Sequence, residues 1–506
     1  MTANVSIESA GSSAKGPSRE HRLLGLGLTT FGLYIINALL QQALATPSGS
    51  GVAARQALLY GLYLLVTVGT FALYWMLLAM CRRGELTQNR PRAVALGMAC
   101  VLQAVLAMLT PRLSQDMLTY IAQGLLGMLP GHSPLAEPAS AAQFTLPGAA
   151  LIPAGWRPDV APSAYGIIWI AIETASVRLA GGNLQVAMWL LKGVVLAASL
   201  LTALMLGRFL GRVAPHARQL GVLAYLWNPL ILVELAGEGH NDALMVLFAV
   251  AALAACAAGQ VTASVLAQLS GVLTKYVNLL LVPPQLVYLW RTRRGGGARL
   301  ILEIAAGVVI AGALAAALYA PLWIGLHSFA GTVQQGAPVS SASLFGIINW
   351  VLRRSSLAPF AAPITVAAVG LPSLVFIVWI SLGVRDALGL AHACAWIAVV
   401  FVLVTAPLYW PWYACLPVSL LIAADVRRYL WVIFMLCVLA RMVAPLELLQ
   451  VQGLLSMPLA KGTMTGLGTT LPLVVLLVWV VRRARPAVRA SARSKGLATD
   501  GSSAAE

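Results

Sequence analysis

The chain has 506 residues, is 60% hydrophobic and only 10% charged, and carries a formal net charge of +17 with a mean hydropathy of +0.85. Soluble domains hold about 25% charged residues, so an ordinary soluble domain is excluded. The basic excess would suggest nucleic acid in a soluble protein, but here the arginines sit in short breaks between apolar runs, as topology signals do, and no nucleic-acid partner is expected.

Residues 1–20 are small and polar, without the apolar core and cleavage site of a signal peptide, and read as a disordered cytoplasmic tail. Apolar runs at 23–45 and 56–80 predict two spans, and Arg82, Arg83, Arg90 and Arg92 mark the basic loop after them as cytoplasmic. A third span at 93–110 leads to a long Pro- and Gly-rich outer segment near 111–183. The next run, 185–207, ends at Arg208, Arg212 and Arg218, and is followed by runs at 219–236, 243–257, 261–274 and 277–290. The last two also read as one long span with Lys275 buried midway. A run at 299–323 precedes a second outer segment near 324–361, and further spans fall at 362–384, 390–408, 412–424, 429–447 and 466–481. The expected fold is an all-α polytopic membrane protein with roughly 13–14 spans over 21–481, closed by a basic cytoplasmic tail at 482–506. The six cysteines form no C-x-x-C pair, which suggests neither a disulfide framework nor a metal site.

Polar residues gather in the outer segments. Asp116, Tyr120 and Gln123 share one face of a helix just past the third span, with Arg112 before it. The carboxylate is placed either as a general base or as an N-terminal charge that caps the helix. Glu238, His240, Asn241 and Asp242 stand between two apolar runs, broken by Gly237 and Gly239. Capping by Asn241 or Asp242 explains one polar residue there, not four, and polar groups at a bilayer boundary need solvent or partners. Lys275-Tyr276 supplies a cation for a phosphate or a partner for a carboxylate such as Glu234. Tyr409 and Trp410, with Trp412 and Tyr413, form an interfacial aromatic belt or a platform for a sugar ring. Arg353 and Arg354 fall on the outer side against the positive-inside pattern, as cations for an anionic lipid head group would.

These features resemble the GT-C class of membrane glycosyltransferases, and within it the polyprenol-phosphomannose-dependent alpha-1,6-mannosyltransferases of lipoglycan synthesis. The family pattern D-x-x-x-Y-x-x-x-G after a span is met by Asp116, Tyr120 and Gly124. A stretch like L-W-N-P-L-x-L-x-E followed by H-N-D is met by Leu226-Trp227-Asn228-Pro229-Leu230, Glu234 and His240-Asn241-Asp242. The chain departs from the family at His132-Ser133-Pro134-Leu135, where an N-P-Y-like stretch is usual, and in the loosened turn from Ala161 to Gly166. The resemblance implies a GT-C bundle with amphipathic helices in a long first outer loop. It implies inverting transfer of mannose from polyprenyl-phosphate mannose to an alpha-1,6-mannan or lipoglycan acceptor at the outer face of a bacterial plasma membrane. Asp116 would be the base. Lys275, Arg112, Arg353 and Arg354 would be candidates for the phosphate, and Glu238, His240, Asn241 and Asp242 would line the cavity. No cofactor is firmly implied, although Asp116 with Asp242 would suit a divalent cation if they met. The alternatives are another polyprenyl-phosphate sugar, such as arabinose or glucose, or a lipid-linked sugar transporter, which would draw on Glu173, Lys192 and Glu303.

Overall fold

The computed structural model describes residues 18–46, 52–141, 161–293, 297–336, 343–406 and 409–480. Of the expected tails, residues 1–17 and all of 482–506 lie outside these; Arg19 already opens the first helix. Among the described residues every regular element is helical, and two isolated bridges are the only β-type pairings.

Helices α1 (Arg19–Ala45), α2 (Val52–Arg82) and α3 (Asn89–Met108) lead to a short α4 (Asp116–Leu126) and to α5 (Ile167–Leu179). Then come α6 (Leu184–Val213), α7 (Arg218–Leu226), a π-helical turn at Ile231–Gly237, α8 (Asp242–Ala257), α9 (Val261–Thr274), α10 (Val282–Thr292) and α11 (Gly297–Tyr319). The chain continues through α12 (Ala330–Gly336), α13 (Leu344–Leu352), α14 (Ala361–Thr365), α15 (Leu371–Leu382), α16 (Ala387–Val400), α17 (Cys415–Val451) and α18 (Met457–Thr465). Side-chain caps start several of them: Ser18 accepts from the His21 amide, Asn183 from Val186 and Asp386 from Gly389, satisfying amides that have no partner in the first turn.

Nine described helical stretches are long and apolar enough to cross a membrane, or ten if the bent pair Pro215–Leu226 and Ile231–Gly237 is one span. The 13 or 14 spans expected from hydropathy are more than this. The runs at 243–257 and 261–274 form helices too short to cross alone, and 277–290 opens with a 3-10 turn at Tyr276–Leu281. Lys275 is extended at φ −153°, so α9 does not continue into α10 as a single rod. The two last central runs join in α17, which is broken at Asp425 (φ −171°, ψ 92°), where the Asp425 carboxylate accepts from the amides of Arg427 and Arg428. The stretch Pro411–Gln450 has 71% of its most apolar window buried, against 17% for Gly297–Leu322, which puts the former at the heart of the bundle and the latter at its rim. Outward-facing Leu28, Leu39, Leu65, Met76, Val309 and Trp379 form the apolar surface that a bilayer requires.

Two local devices position the site. The first is the bend of 57° between α7 and the π-helical turn. Pro229 has no amide to donate across it. The Trp227 indole donates to the Ala95 carbonyl of α3 at 2.9 Å, and the Asn228 carboxamide oxygen accepts from the Leu230 amide at 2.9 Å. The second is Gly124, where α4 lies directly on α5. A Cβ there would stand 2.6 Å from the Glu173 carbonyl oxygen and 2.8 Å from Val177 Cγ2. Backbone cannot step aside as a flexible side chain does, so Gly124→Ala is expected to lose about 1–3 kcal/mol by overpacking, more than the ~1 kcal/mol that Ala gains over Gly in a helix. The thermal midpoint of purified Gly124→Ala should fall below wild type, while Gly97→Ala, whose Cβ meets open space, should not. Equal midpoints would show that α4 is free to move off α5.

Candidate active site

The connection from α3 to α4 is held at both ends. Lys192, buried in α6, donates to the carbonyls of Leu106 at 3.2 Å, Leu109 and Gly237 at 2.5 Å. Glu238 accepts from three successive amides, Arg112 at 3.1 Å, Leu113 at 3.0 Å and Ser114 at 3.2 Å. One carboxylate thus gathers the donors just before α4, as a nest binds an anion. The Arg112 side chain, with Tyr34, Asn37, Gln41 and Glu238, lines a cavity of about 30 Å³, room for a water or two.

That clamp delivers Asp116 to the first position of α4. Its Oδ2 accepts from the Tyr120 hydroxyl at 3.2 Å and lies 3.4 Å from Nδ1 of His240. The Asp116 side chain keeps 27% exposure, while His240 has none. Tyr120 is fixed edge-on against Tyr165 and Trp169, with centroids at 5.5 and 5.1 Å. Gly239 brings His240 round with φ +80°, and a Cβ on it would come within 2.4 Å of Met117 Cε. On its other side His240 Nε2 is 3.4 Å from Glu234 Oε2. Both contacts are at ion-pair distance and neither is aligned as a full hydrogen bond. The imidazole stacks on Trp412 at 3.9 Å, and Trp412 stacks in turn on Trp410 at 5.3 Å. Glu234 Oε1 accepts from Arg441, which sits fully buried in α17.

Burial alone would push the Asp116 carboxyl up, but His240 and, more weakly, Lys275 and the Tyr120 hydroxyl outweigh it and hold it below its ordinary value. Burial would likewise lower His240, yet Asp116 and Glu234 raise it to about 9. The two flanking carboxylates thus favour the imidazolium form of His240. Glu173, behind α4 in α5, has both carboxylate oxygens without partners, and burial pushes it well above the ordinary range.

Lys275 does not pair with Glu234. Its ammonium donates to Asp242 Oδ2 at 2.8 Å and stands over the rings of Tyr413 at 4.7 Å and Tyr165 at 5.8 Å. Asp242 thus keeps one oxygen on Lys275, and among the described residues no group of three or more His, Cys, Asp or Glu is arranged to hold a metal ion. Asn241 occupies the N-cap of α8 without donating or accepting there, and both its amide atoms are buried and unpartnered, as is Asp242 Oδ1. Capping is therefore not what this Asn does. Gln123 is buried with its carbonyl oxygen free, and Tyr276 shares a hydroxyl contact of 3.1 Å with Tyr319. Tyr409 is buried against Gly468. Arg353 binds Asn349 of its own helix at 2.8 Å and Arg354 lies 4.0 Å over Trp350, so neither is drawn to Asp116 by these contacts. Of the charges a transporter would use, Lys192 is spent on carbonyls and Glu303 on Arg299 at 2.9 Å.

Sequence reasoning missed Arg441, Tyr63, Trp412 as a partner of His240, and the clamping role of Lys192. Trp412 lay in a recognised aromatic cluster; a lone arginine inside the apolar run 429–447 was the available signal for Arg441.

An all-helical membrane protein with a carboxylate–imidazole site at the junctions of its apolar helices is the class that fold and site define. The family model for "Alpha-(1->6)-mannopyranosyltransferase, N-terminal domain" matches residues 23–292, a little over half of the chain, and the chain belongs to that family of GT-C membrane mannosyltransferases. It is accordingly a glycosyltransferase. No curated protein matches it.

The raised His240 value has a signed consequence. A group protonated more readily in the folded state stabilises fully below its unfolded value, near 6.5, and loses that stabilisation as pH rises through about 9. The contribution is on the order of 3 kcal/mol. The thermal midpoint of wild type should therefore drop more between pH 7 and pH 10 than that of His240→Gln. Parallel curves would show that His240 is neutral in the fold.

Proposed function

We propose that the chain moves mannose from polyprenyl-phosphate mannose to an alpha-1,6-mannan or lipoglycan acceptor at the outer face of a bacterial plasma membrane, with both termini cytoplasmic. Family membership supports the mannosyl chemistry. The observation that carries the site assignment is Asp116: a carboxylate partly open to solvent, whose Oδ2 accepts from the Tyr120 hydroxyl at 3.2 Å and faces His240 Nδ1 at 3.4 Å.

In the proposed step the acceptor hydroxyl gives its proton to Asp116 as its oxygen bonds the anomeric carbon. The bond from that carbon to the phosphate oxygen breaks on the opposite face, inverting the configuration, and polyprenyl phosphate leaves with the electron pair. Such a step needs a base within reach of the hydroxyl and positive charge at the leaving phosphate. Lys275 is the cation proposed for the phosphate. It retains 15% side-chain exposure beside Asp242 and is walled by Tyr165 and Tyr413. The unpartnered Asn241 amide, Asp242 Oδ1 and Gln123 carbonyl are the groups proposed to bind sugar hydroxyls, since buried polar atoms without partners cost free energy until a ligand supplies them. Arg353 and Arg354 are proposed to meet lipid head groups away from this centre.

The test is transfer in membranes holding this chain, with polyprenyl-phosphate mannose as donor and a short alpha-1,6-mannoside as acceptor. Asp116→Asn should lower the rate by about 10²–10⁴, the usual contribution of a general base. Retained transfer in folded Asp116→Asn would remove Asp116 from that role, and no transfer by wild type would point to another sugar or acceptor. Lys275→Met should raise the donor KM with a smaller effect on the acceptor KM; equal effects on both would place Lys275 elsewhere than at the phosphate.

A further inference from the structure

We infer that Arg441 is a positioning residue for the chemistry at Asp116, acting through Glu234 and His240, so that the last third of the chain, which also supplies Trp412 and Tyr413, completes a site whose other charged groups lie within residues 23–292. The inference rests on Asp116 as the base.

The Glu234 carboxylate is divided between two partners. Oε1 accepts from Arg441 Nη1, and Oε2 faces His240 Nε2 at 3.4 Å. The ring's other nitrogen faces Asp116 at 3.4 Å. An imidazolium between two carboxylates leaves one negative charge over, and Arg441 cancels it. Arg441 is itself fixed from α2. Its Nη2 donates to the Tyr63 hydroxyl at 2.5 Å, that hydroxyl donates to the Arg441 carbonyl at 3.0 Å, and the Tyr60 hydroxyl donates to the Met442 carbonyl at 2.8 Å. A buried ion pair is weak as a stabiliser, because desolvation offsets attraction and a well-packed apolar pair often does as well. Stability alone therefore does not account for this pair, whereas a carboxylate kept charged beside His240 does.

The other charged groups around the ring have their own partners. Glu238 is held by three amides and lies near Lys192, Lys275 is paired with Asp242, and Trp412 covers the ring face. Glu234 and Asp116 are thus the groups that set the proton on His240, and Arg441 sets the charge of Glu234.

The experiment compares the full-length chain with Arg441→Met/Glu234→Gln, which removes both charges together and avoids stranding either, and with Arg441→Lys, which keeps the charge without the planar fork. The pH profile of kcat and the donor KM are measured from pH 6 to pH 10. The alkaline limb of the double variant should move acidward by about one pH unit or more, so that kcat falls several-fold near pH 9 and less at neutral pH, with the donor KM little changed. Arg441→Lys should shift in the same direction by less. A purely structural role would lower the folded fraction and leave the limb in place, so an unmoved limb in either folded variant overturns the inference. Wild-type transfer abolished by Asp116→Asn but indifferent to these variants would sink this inference alone. If wild type transfers nothing, the drop in thermal midpoint from pH 7 to pH 10 decides instead: it should shrink in the double variant as in His240→Gln, and an undiminished drop overturns the inference.

Discussion

Charge balance among groups buried in an apolar bundle is the constraint on which this site depends. Asp116, His240, Glu234 and Arg441 alternate in sign along one line, and three of the four are fully buried. Any one of them alone would be costly within an apolar bundle. The bend after Trp227, the left-handed Gly239 and the clamp made by Lys192 and Glu238 all serve to bring these groups into line. Buried polar atoms with no partner remain on Asn241, Asp242 and Gln123, the groups proposed to bind a sugar.

The two ion pairs of the site obey the same physics at different depths. Glu234 and Arg441 are sealed, with 2% and 1% side-chain exposure, whereas Lys275 keeps 15% beside Asp242. The sealed pair has no room for a ligand and can act only on its neighbours. The less sealed pair has its ammonium over two tyrosine rings, Tyr165 and Tyr413, which is why Lys275 rather than Arg441 is the cation proposed for the phosphate.

Much of this was readable in the sequence because it is local. Hydropathy located α1, α2, α3, α6 and α11, and the spacing of Asp116 and Tyr120 put both on one helical face, where they do meet. What failed was either a matter of length or of distance along the chain. The apolar runs at 243–257 and 261–274 read as spans but form short helices, α8 of 16 residues and α9 of 14. Lys275 does find a carboxylate, but that of Asp242 rather than the Glu234 named as an example, and Asn241 stands at a cap without capping, because tertiary packing chose their partners. Arg441 meets Glu234 across 207 residues and Tyr63 across 378, and no window of sequence holds both ends of such a contact.

The break in α17 at Asp425 bears on how the protein enters its membrane. Asp425 turns its carboxylate onto the Arg427 and Arg428 amides, which lets one apolar stretch stop and a second begin. The stretch after the break carries Arg441. Until it is made and inserted, Glu234 already lies among apolar helices with no guanidinium to neutralise it. The order of synthesis therefore leaves the centre of the bundle unfinished until the second half of α17 is made. A nascent chain stopped short of Arg441 would hold the Glu234 carboxylate among apolar helices without its guanidinium partner, a costly arrangement that only the second half of α17 relieves.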